Sequence, residues 1–315
     1  MDKDELREKL LIAKEQYVHK NSARLTKLKP SWDKVQFTIP KVEELEPYIE
    51  FCTNNDLWWY GRVSVSSAPL SGEVGRRIHY LIRDKNTGFV LGIVGLASDL
   101  TIPIRDKHIG WTTDNKWKGK RINYLMNVQH CVATPELSNY LIGKLCALSV
   151  LSHEVQGHFE QKYNHPLAMM TVTSLFGKSS MYNRLEGFQY LGTTKGYSSI
   201  LIPLEVKQQM RDDYKREKGK YSEIYYNEDG TVKERYGVVK GYQKLSKYGK
   251  VQSIENFRGV YIIPLSSNYR EFLREETDKL VSLNHKTFEE LTAYWKDRWM
   301  LPRLQRIKDG LVDGT

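Results

Sequence analysis

The chain has 315 residues, of which 40% are hydrophobic and 27% charged, a balance that excludes a disordered or fibrous protein. No apolar run reaches the ~18–20 residues that a membrane helix needs, and the first residues lack the apolar segment of a signal peptide. Cys52, Cys131 and Cys146 are too few and too scattered for a disulfide framework or a CxxC metal site. We therefore expect a cytoplasmic protein without membrane contact.

The charge is strongly positive, because 48 Lys and Arg outnumber 38 Asp and Glu and give a net charge of +10. An excess of this size favours a polyanionic partner such as nucleic acid, whose phosphates attract Lys and Arg. A solvated basic surface without such a partner is the alternative interpretation.

Residues 1–56 are predicted to form a helical N-terminal support. Leu6, Leu10, Ala13 and Tyr17 recur at intervals of three and four residues, which places them on one face of a helix. A second helix is predicted over residues 42–52.

Strands are predicted next. Two runs rich in β-forming residues, 77–83 and 89–96, are separated by a segment that contains Gly88, and this pattern predicts a hairpin. Further strands are predicted at residues 109–112 and 124–132.

A long helix is predicted over residues 139–163, with Ser138 as its N-cap and a regular apolar face. A buried strand at residues 167–173 follows, and Tyr190 and residues 200–203 indicate more strand pairing. Strands, a long helix and strands again predict an α+β fold around one central sheet.

Residues 206–315 are predicted to be a basic, tyrosine-rich C-terminal extension. The window 233–258 contains seven Lys and Arg against two Glu, a net charge of +5, with Tyr242 and Tyr248 between the cations. Aromatic rings between cations suit base stacking beside phosphate neutralisation. A solvated hairpin whose tyrosines pack on the core is the alternative. Residues 269–313 are predicted to be helical.

The strand end at residues 171–180 is the strongest candidate for a catalytic or anion-binding site. It combines a dense set of hydroxyls with Gly177 and Lys178. A Walker phosphate loop is excluded, because Val172 stands where its first Gly is required. Small polar groups and free amides at a strand end can still hold an oxyanion or a phosphate, and a polar capping turn is the alternative.

The predicted long helix carries two further motifs. Gly143 and Lys144 lie in its first turns, where backbone amides and a lysine favour a phosphate, although Gly143 would equally permit close helix–sheet packing. His153 and His158 are five residues apart and point about 140° away from each other around a helix. This spacing excludes the zinc site of the HExxH pattern, whose histidines are four apart.

Several arginines stand beside strongly apolar runs: Arg62, Arg76, Arg77 and Arg105. The guanidinium group can bind phosphate or carboxylate through two parallel hydrogen bonds. For Arg105, a structural ion pair with Asp106 is the alternative.

Six segments occur in one order that resembles the DruA-type domain family, named for a component of the Druantia antiphage defence system. The resemblance covers about residues 57–205 and extends weakly to the C-terminus. It implies a role in defence against phage, or carriage by a phage or mobile element, with other defence-system proteins as partners. The segments are 75–84 (GRRIHYLIRD), 91–96 (LGIVGL), 104–111 (IRDKHIGW), 143–145 (GKL), 152–155 (SHEV) and 173–185 (TSLFGKSSMYNRL).

A more remote likeness concerns the core at residues 57–205. The order of elements resembles the core of GNAT acyltransferases. It consists of a strand, a helix start suited to phosphate binding, a long helix, and a strand leading to residues 182–188 (YNRLEGF). That group includes the Mom-type enzymes that modify adenine in DNA. The likeness implies a central mixed sheet with a long helix and a donor, either acyl-CoA or another. The pyrophosphate loop of the group is matched at Gly143 but not at its other fixed positions.

These implications define the first hypothesis, a GNAT-like enzyme that modifies nucleic-acid bases, DNA rather than RNA, by group transfer. Tyr182 would act as an acid. The other predicted roles are donor phosphate binding by Gly143 and Lys144, the lining of the reacting centre by Thr173, Ser174, Lys178 and Ser180, and nucleic-acid backbone binding by Arg76, Arg77, Lys240, Lys244, Lys247 and Lys250.

The second hypothesis is a defence effector that binds nucleic acid without catalysis or cleaves it. Nuclease action would require carboxylates that hold Mg²⁺, and Glu154 and Asp106 are the acids suspected of this role. The spacing of acids in the sequence identifies no such cluster.

Overall fold

The computed structural model describes residues 3–67, 75–112, 118–197, 209, 224–226, 232–234, 255–283 and 285–313. The chain divides into two units, one of Met1–Ala13 with Lys195–Asn256 and one of Lys14–Thr194 with Phe257–Thr315. The predicted domain divisions after residues 56 and 205 stay predictions. No helix in the described part of the chain has both the length and the apolar character needed to cross a membrane.

Seven strands form one sheet in the order β1-β2-β3-β4-β5-β9-β6, and β7 pairs separately with β8. β4 and β5 run parallel, whereas β1–β2, β2–β3, β3–β4 and β5–β9 are antiparallel. This confirms the predicted α+β fold with a central mixed sheet. The strands are β1 (Pro47–Phe51), β2 (Arg77–Asp84), β3 (Val90–Ser98), β4 (Leu125–Ala133), β5 (Met169–Ser174), β6 (Gln189–Tyr197), β7 (Ile224–Tyr226), β8 (Val232–Glu234) and β9 (Glu255–Pro264).

Helices cover both faces of this sheet. The α-helices are α1 (Lys3–Lys20), α2 (Ser22–Val35), α3 (Asn55–Val65), α4 (Pro103–Ile109), α5 (Lys118–Arg121), α6 (Ile142–Ser149), α7 (His153–Tyr163), α8 (Tyr269–Leu273), α9 (Phe288–Trp295) and α10 (Leu301–Lys308). Short 3₁₀ helices span Val42–Glu44, Ile122–Tyr124 and Pro135–Tyr140, and a π-helical turn spans Lys296–Met300 between α9 and α10.

The alternation of side chains along β2 shows how the sheet separates two apolar layers. Tyr80 packs in the larger cluster with Leu145 of α6 and Trp295 of α9. Leu81, the next residue, packs in a smaller cluster with Trp58 of α3. Because successive side chains of a strand point to opposite faces, both faces of β2 are buried.

The predicted long helix over residues 139–163 is broken. Leu141 has a φ of +62° and separates a 3₁₀ helix from α6. α7 then starts afresh after Ser152, whose hydroxyl accepts a hydrogen bond from the Val155 amide at 3.3 Å. Serine at an N-cap satisfies an amide that lacks an intrahelical acceptor, so it favours a new helix start here.

Two other element predictions are wrong. Residues 42–52 form a 3₁₀ turn and the edge strand β1, because proline at position 47 disfavours helix both at its own position and at the residue before it. Residues 109–112 end a helix instead of forming a strand. Pro103 in the first turn of α4 and Gly110 just after it, with a φ of +92°, are the start and stop signals of that helix.

The hairpin β2–β3 and the strands β4, β5 and β6 confirm the predictions for those regions. The predicted helix over residues 269–313 is instead three helices and a π-helical turn, with irregular chain between α8 and α9. The predicted strand at residues 200–203 and most of the basic window lie outside the described residues.

Candidate functional site

The candidate site lies where β5 ends. β5 pairs with β4 only from Met169 to Thr171, but it pairs with β9 as far as Ser174, which is opposite Gly259. Among the described strands, the last part of β5 therefore has a paired neighbour on one side only. The carboxyl end of a strand beside such a separation is a frequent place for a ligand site in α/β sheets.

The β5–β6 loop (residues 175–188) continues from this strand end, and Lys144 of α6 binds to its backbone. The Lys144 ammonium donates hydrogen bonds to the carbonyl oxygens of Ser180 at 2.7 Å, Met181 at 3.1 Å and Asn183 at 3.4 Å. The same nitrogen lies 4.3 Å from the ring centroid of Trp299. All three ammonium hydrogens are thus used to fix the loop.

β9 holds the loop from a second direction. The Tyr261 hydroxyl accepts a hydrogen bond from the Ser179 amide at 2.8 Å and donates one to Asn183 Oδ1 at 3.1 Å. A Cβ atom on Gly259 would lie 2.3 Å from the carbonyl oxygen of Gly177, so only glycine lets the loop pack this closely. The loop is therefore fixed by a helix and by a strand.

Tyr182 lies inside this anchored loop and is half-buried. Its ring stacks on Phe188 at 5.7 Å and is tilted against Tyr261 at 5.2 Å. Burial, with smaller contributions from the Cys131 thiol on β4 and from Tyr261 on β9, raises the pKa of the Tyr182 hydroxyl well above its usual value. The phenol is therefore protonated at neutral pH, so it can give up a proton but cannot act as a base until it has done so.

The other predicted catalytic residues divide between the surface and the interior. Lys178 and Ser180 are exposed, whereas Thr173 is half-buried and Ser174 is buried. The Lys178 ammonium lies 5.4 Å from the ring centroid of Tyr190, the second residue of β6. A polar ligand on the loop would thus meet Lys178 and Ser180 first.

The start of α6 does not fit a donor phosphate. Lys144 is turned to the loop carbonyls and is not free for a phosphate, and the Met181 sulfur lies in ordinary van der Waals range, 3.6 Å, of a Cβ placed on Gly143. The carbonyl of Leu141, just before α6, accepts a hydrogen bond from the Trp295 indole at 3.0 Å, so α9 also contacts the start of α6.

Lys144 gives the folded state a specific pH dependence. Burial, and secondly the positive charge of Arg184, lower the pKa of Lys144 to about 8. In the unfolded chain its pKa is near the ordinary ~10.4. Between these values the unfolded chain holds a proton that the folded protein has released, so stability gains from rising pH.

We expect the Lys144→Met variant to lack this gain. Urea unfolding at pH 7.5, 8.5 and 9.5 measures it as the change in the free energy of unfolding with pH, with Lys107→Met as the control for an exposed lysine. If the free energy of unfolding changed equally with pH in the wild type and in Lys144→Met, Lys144 would not be the group whose lowered pKa causes the change. The variant should also be less stable throughout, because the carbonyls of Ser180, Met181 and Asn183 lose their donor.

The arginines predicted to bind nucleic acid differ from each other. The Arg76 guanidinium donates to the carbonyl oxygens of Asn123 and, at 3.3 Å, of Leu125, and burial lowers its pKa. Arg77 is exposed, and its carbonyl accepts a hydrogen bond from Lys162 at 2.8 Å. Arg76 is thus partly used within the fold. The predicted contacts Lys240, Lys244, Lys247 and Lys250 lie outside the described residues.

Both suspected acids have structural partners. The Glu154 carboxylate accepts from the Phe288 amide at 3.0 and 3.1 Å and so caps α9. Asp106 accepts from the Arg105 guanidinium at 2.8 Å. Within the described ranges, no three His, Cys, Asp or Glu side chains are grouped so that they could hold a metal ion.

Sequence reasoning missed the residues that anchor the loop from β9. Gly259 and Tyr261 belong to the segment 258–261, which takes part in the weak C-terminal resemblance, yet nothing local distinguishes them from ordinary strand residues. Trp299 lies in the same apolar cluster as Trp295, and its ring also lies against Lys144, a contact that the sequence did not indicate.

Together, the fold and the site define an α+β protein with an anchored polar loop at the carboxyl end of a central strand. A family model described as "Druantia protein DruA" matches residues 2–275. The chain is also 28% identical to the Druantia protein DruA of Escherichia coli (strain UMEA 4076-1), over 93% of this chain and 76% of that protein. The chain belongs to the DruA family, and this membership indicates an antiphage defence protein. No solved structure matches it.

Proposed function

We propose that this DruA-family protein transfers a chemical group to a base of nucleic acid, DNA rather than RNA, and that the β5–β6 loop is the reacting centre. The observation that carries the proposal is the anchoring of this loop by Lys144 and Tyr261. Catalysis of group transfer depends chiefly on polar groups held in place before the substrate binds. A loop fixed from two sides meets that requirement.

The chain order supports the GNAT-like part of the proposal. β4, α6, α7, β5, the loop and β6 follow one another as in the predicted core, and β4 and β5 run parallel as a helical crossover requires. The departure is the break between α6 and α7. Because the start of α6 does not fit a donor phosphate, the donor remains defined only as an acyl compound or another group carrier.

The chemistry requires a nucleophile and a proton donor. The exocyclic amine of the base would attack the donor carbon, a bond from nitrogen to the transferred group would form, and the bond to the leaving atom would break. Tyr182 would give its proton to the leaving atom, and the proton lost by the amine would restore the phenol. Lys178 would hold the negative charge that develops on the transferred group.

The partner follows from charge. A net charge of +10 favours a polyanion, and phage or host DNA is the polyanion that a defence protein would act on. Association with other proteins of the defence system and a cytoplasmic location stay predictions.

The test of the site compares single-hydroxyl and single-charge variants in cells that express the protein. We expect the nucleosides of cells that express the wild-type protein to include one with a new mass. Tyr182→Phe and Lys178→Ala should each reduce its amount at least about tenfold, consistent with the ~10²–10⁴-fold rate contribution typical of acid–base catalysis. Tyr190→Phe and Lys107→Ala, which change exposed residues outside the loop, should retain it. Full modification in Lys178→Ala and Tyr182→Phe would overturn the site.

A further inference from the structure

Three cations surround the Trp299 indole beside the anchored loop. The Lys144 ammonium lies 4.3 Å from the ring centroid, and the guanidinium carbons of Arg184 and Arg298 lie 5.5 and 5.3 Å from it. Arg184 belongs to the β5–β6 loop and Arg298 to the π-helical turn. The cation cluster (Lys144, Arg184 and Arg298) therefore joins three segments that are far apart in sequence.

The cluster has no carboxylate partner in the described part of the chain. Lys144 donates only to backbone carbonyls, and neither Arg184 nor Arg298 takes part in an ion pair or a side-chain hydrogen bond there. Arg184 is also the charge that helps to lower the pKa of Lys144. The like charges of Arg184 and Lys144 repel each other, and an anion bound beside them would relieve this repulsion.

A second, independent observation comes from Trp299 itself. Its side chain is only 7% exposed, and its indole N–H is buried without an acceptor among the described residues. A buried donor without a partner is costly and is rare in folded proteins. Trp299 also lies on a π-helical turn, a distortion that is frequent at functional sites.

The accessibility of the cluster fits an anion from outside. Arg184 and Arg298 are exposed, whereas Lys144 and Trp299 lie beneath them. Guanidinium groups on a surface bind phosphate through paired hydrogen bonds, and a buried lysine below adds positive potential. Such a site suits a phosphate of an extended strand better than an enclosed small molecule.

We propose that Arg184 and Arg298, above Lys144 and Trp299, bind a phosphate group of the nucleic-acid backbone. This deepens the proposed function, on which the choice of nucleic acid rests, by giving the substrate a contact next to the β5–β6 loop. The direct phosphate contacts are then made by Arg184 and Arg298, and Lys144 adds positive potential without binding the phosphate itself.

The experiment measures binding of a fluorescein-labelled 20-nucleotide DNA strand by the full chain, through fluorescence anisotropy at several salt concentrations. The variant is Arg184→Gln with Arg298→Gln. The control, Lys107→Gln with Arg306→Gln, removes two exposed charges elsewhere in the same unit. A thermal melt of each variant confirms that it is folded, and Arg184→Lys with Arg298→Lys keeps the charge.

We expect the double glutamine variant to raise the Kd for DNA at least about tenfold and to reduce the slope of log K against log salt by about one, as loss of one phosphate contact predicts. The control should change the Kd less than about twofold, and the lysine variant should recover part of the affinity. Equal loss in the variant and the control would overturn the site, and so would undetectable DNA binding by wild type.

Free ATP, titrated by calorimetry, distinguishes the source of the phosphate. Loss of ATP binding with unchanged DNA binding would overturn the assignment to the nucleic-acid backbone. These results are independent of the nucleoside assay. DNA binding that depends on Arg184 and Arg298 without any modified nucleoside would leave this inference standing and refute the proposed reaction.

Discussion

Replacing Arg105 by methionine is expected to lower the free energy of unfolding by about 3–5 kcal/mol, the usual effect of removing one partner of a buried ion pair. The Arg105 side chain is fully buried and pairs with Asp99 and Asp106. It also donates to the Leu100 carbonyl at 2.6 Å, and Asp99 accepts from the Thr171 hydroxyl at 2.7 Å. Without Arg105, two buried carboxylates lose their cation.

Urea unfolding at neutral pH measures this loss, and Arg24→Met is its control. Arg24 pairs with Asp56 at 2.9 Å, but both side chains are largely exposed, so its removal should cost a small fraction as much. Similar losses in the two variants would show that the Arg105 network adds no more than a surface pair. Because Thr171 belongs to β5, the network also supports the strand that carries the candidate site.

The second large effect is expected from Gly259→Ala, with a loss of about 2–3 kcal/mol and of any activity that depends on the loop. The added Cβ would lie 2.3 Å from the Gly177 carbonyl oxygen and 2.6 Å from its carbon. These are backbone atoms and cannot rotate away, so β9 and the loop must separate. The Ser179–Tyr261 hydrogen bond would then be strained or lost.

The control for this variant is Gly157→Ala, in the middle of α7. An added Cβ there meets no atom within 4 Å, and alanine is the better helix former, so a gain of about 0.5–1 kcal/mol is expected. Thermal melting and the nucleoside assay should separate the two variants. A Gly259→Ala protein with wild-type stability would refute the close contact between β9 and the loop.

Much of the sheet could be predicted because its signals are local. The apolar runs of β2 and β3 around Gly88 identify a hairpin without any knowledge of the rest of the chain. The errors arose where a local signal was given too little weight. Pro47 favours the edge strand β1 where a helix was predicted. Ser152 begins a new helix, α7, where the apolar pattern predicted one continuous helix.

The site could be predicted only in part, for a different reason. Gly177, Lys178 and Tyr182 follow a strand, so their composition drew attention to the loop. The residues that fix the loop come from distant segments. Lys144 reaches Ser180 across 36 positions, and Tyr261 reaches Ser179 across 82. No local pattern records such contacts, and Lys144 was therefore expected to face a phosphate instead of loop carbonyls.

The most direct test of group transfer to a DNA base is mass spectrometry of nucleosides from the DNA and RNA of cells that express the protein. We expect a new nucleoside in the DNA, absent from cells with the empty vector and from cells that express Tyr182→Phe. Unchanged nucleosides in both DNA and RNA, at wild-type expression, would contradict group transfer. Cleaved DNA with unchanged nucleosides would replace it with the nucleolytic alternative.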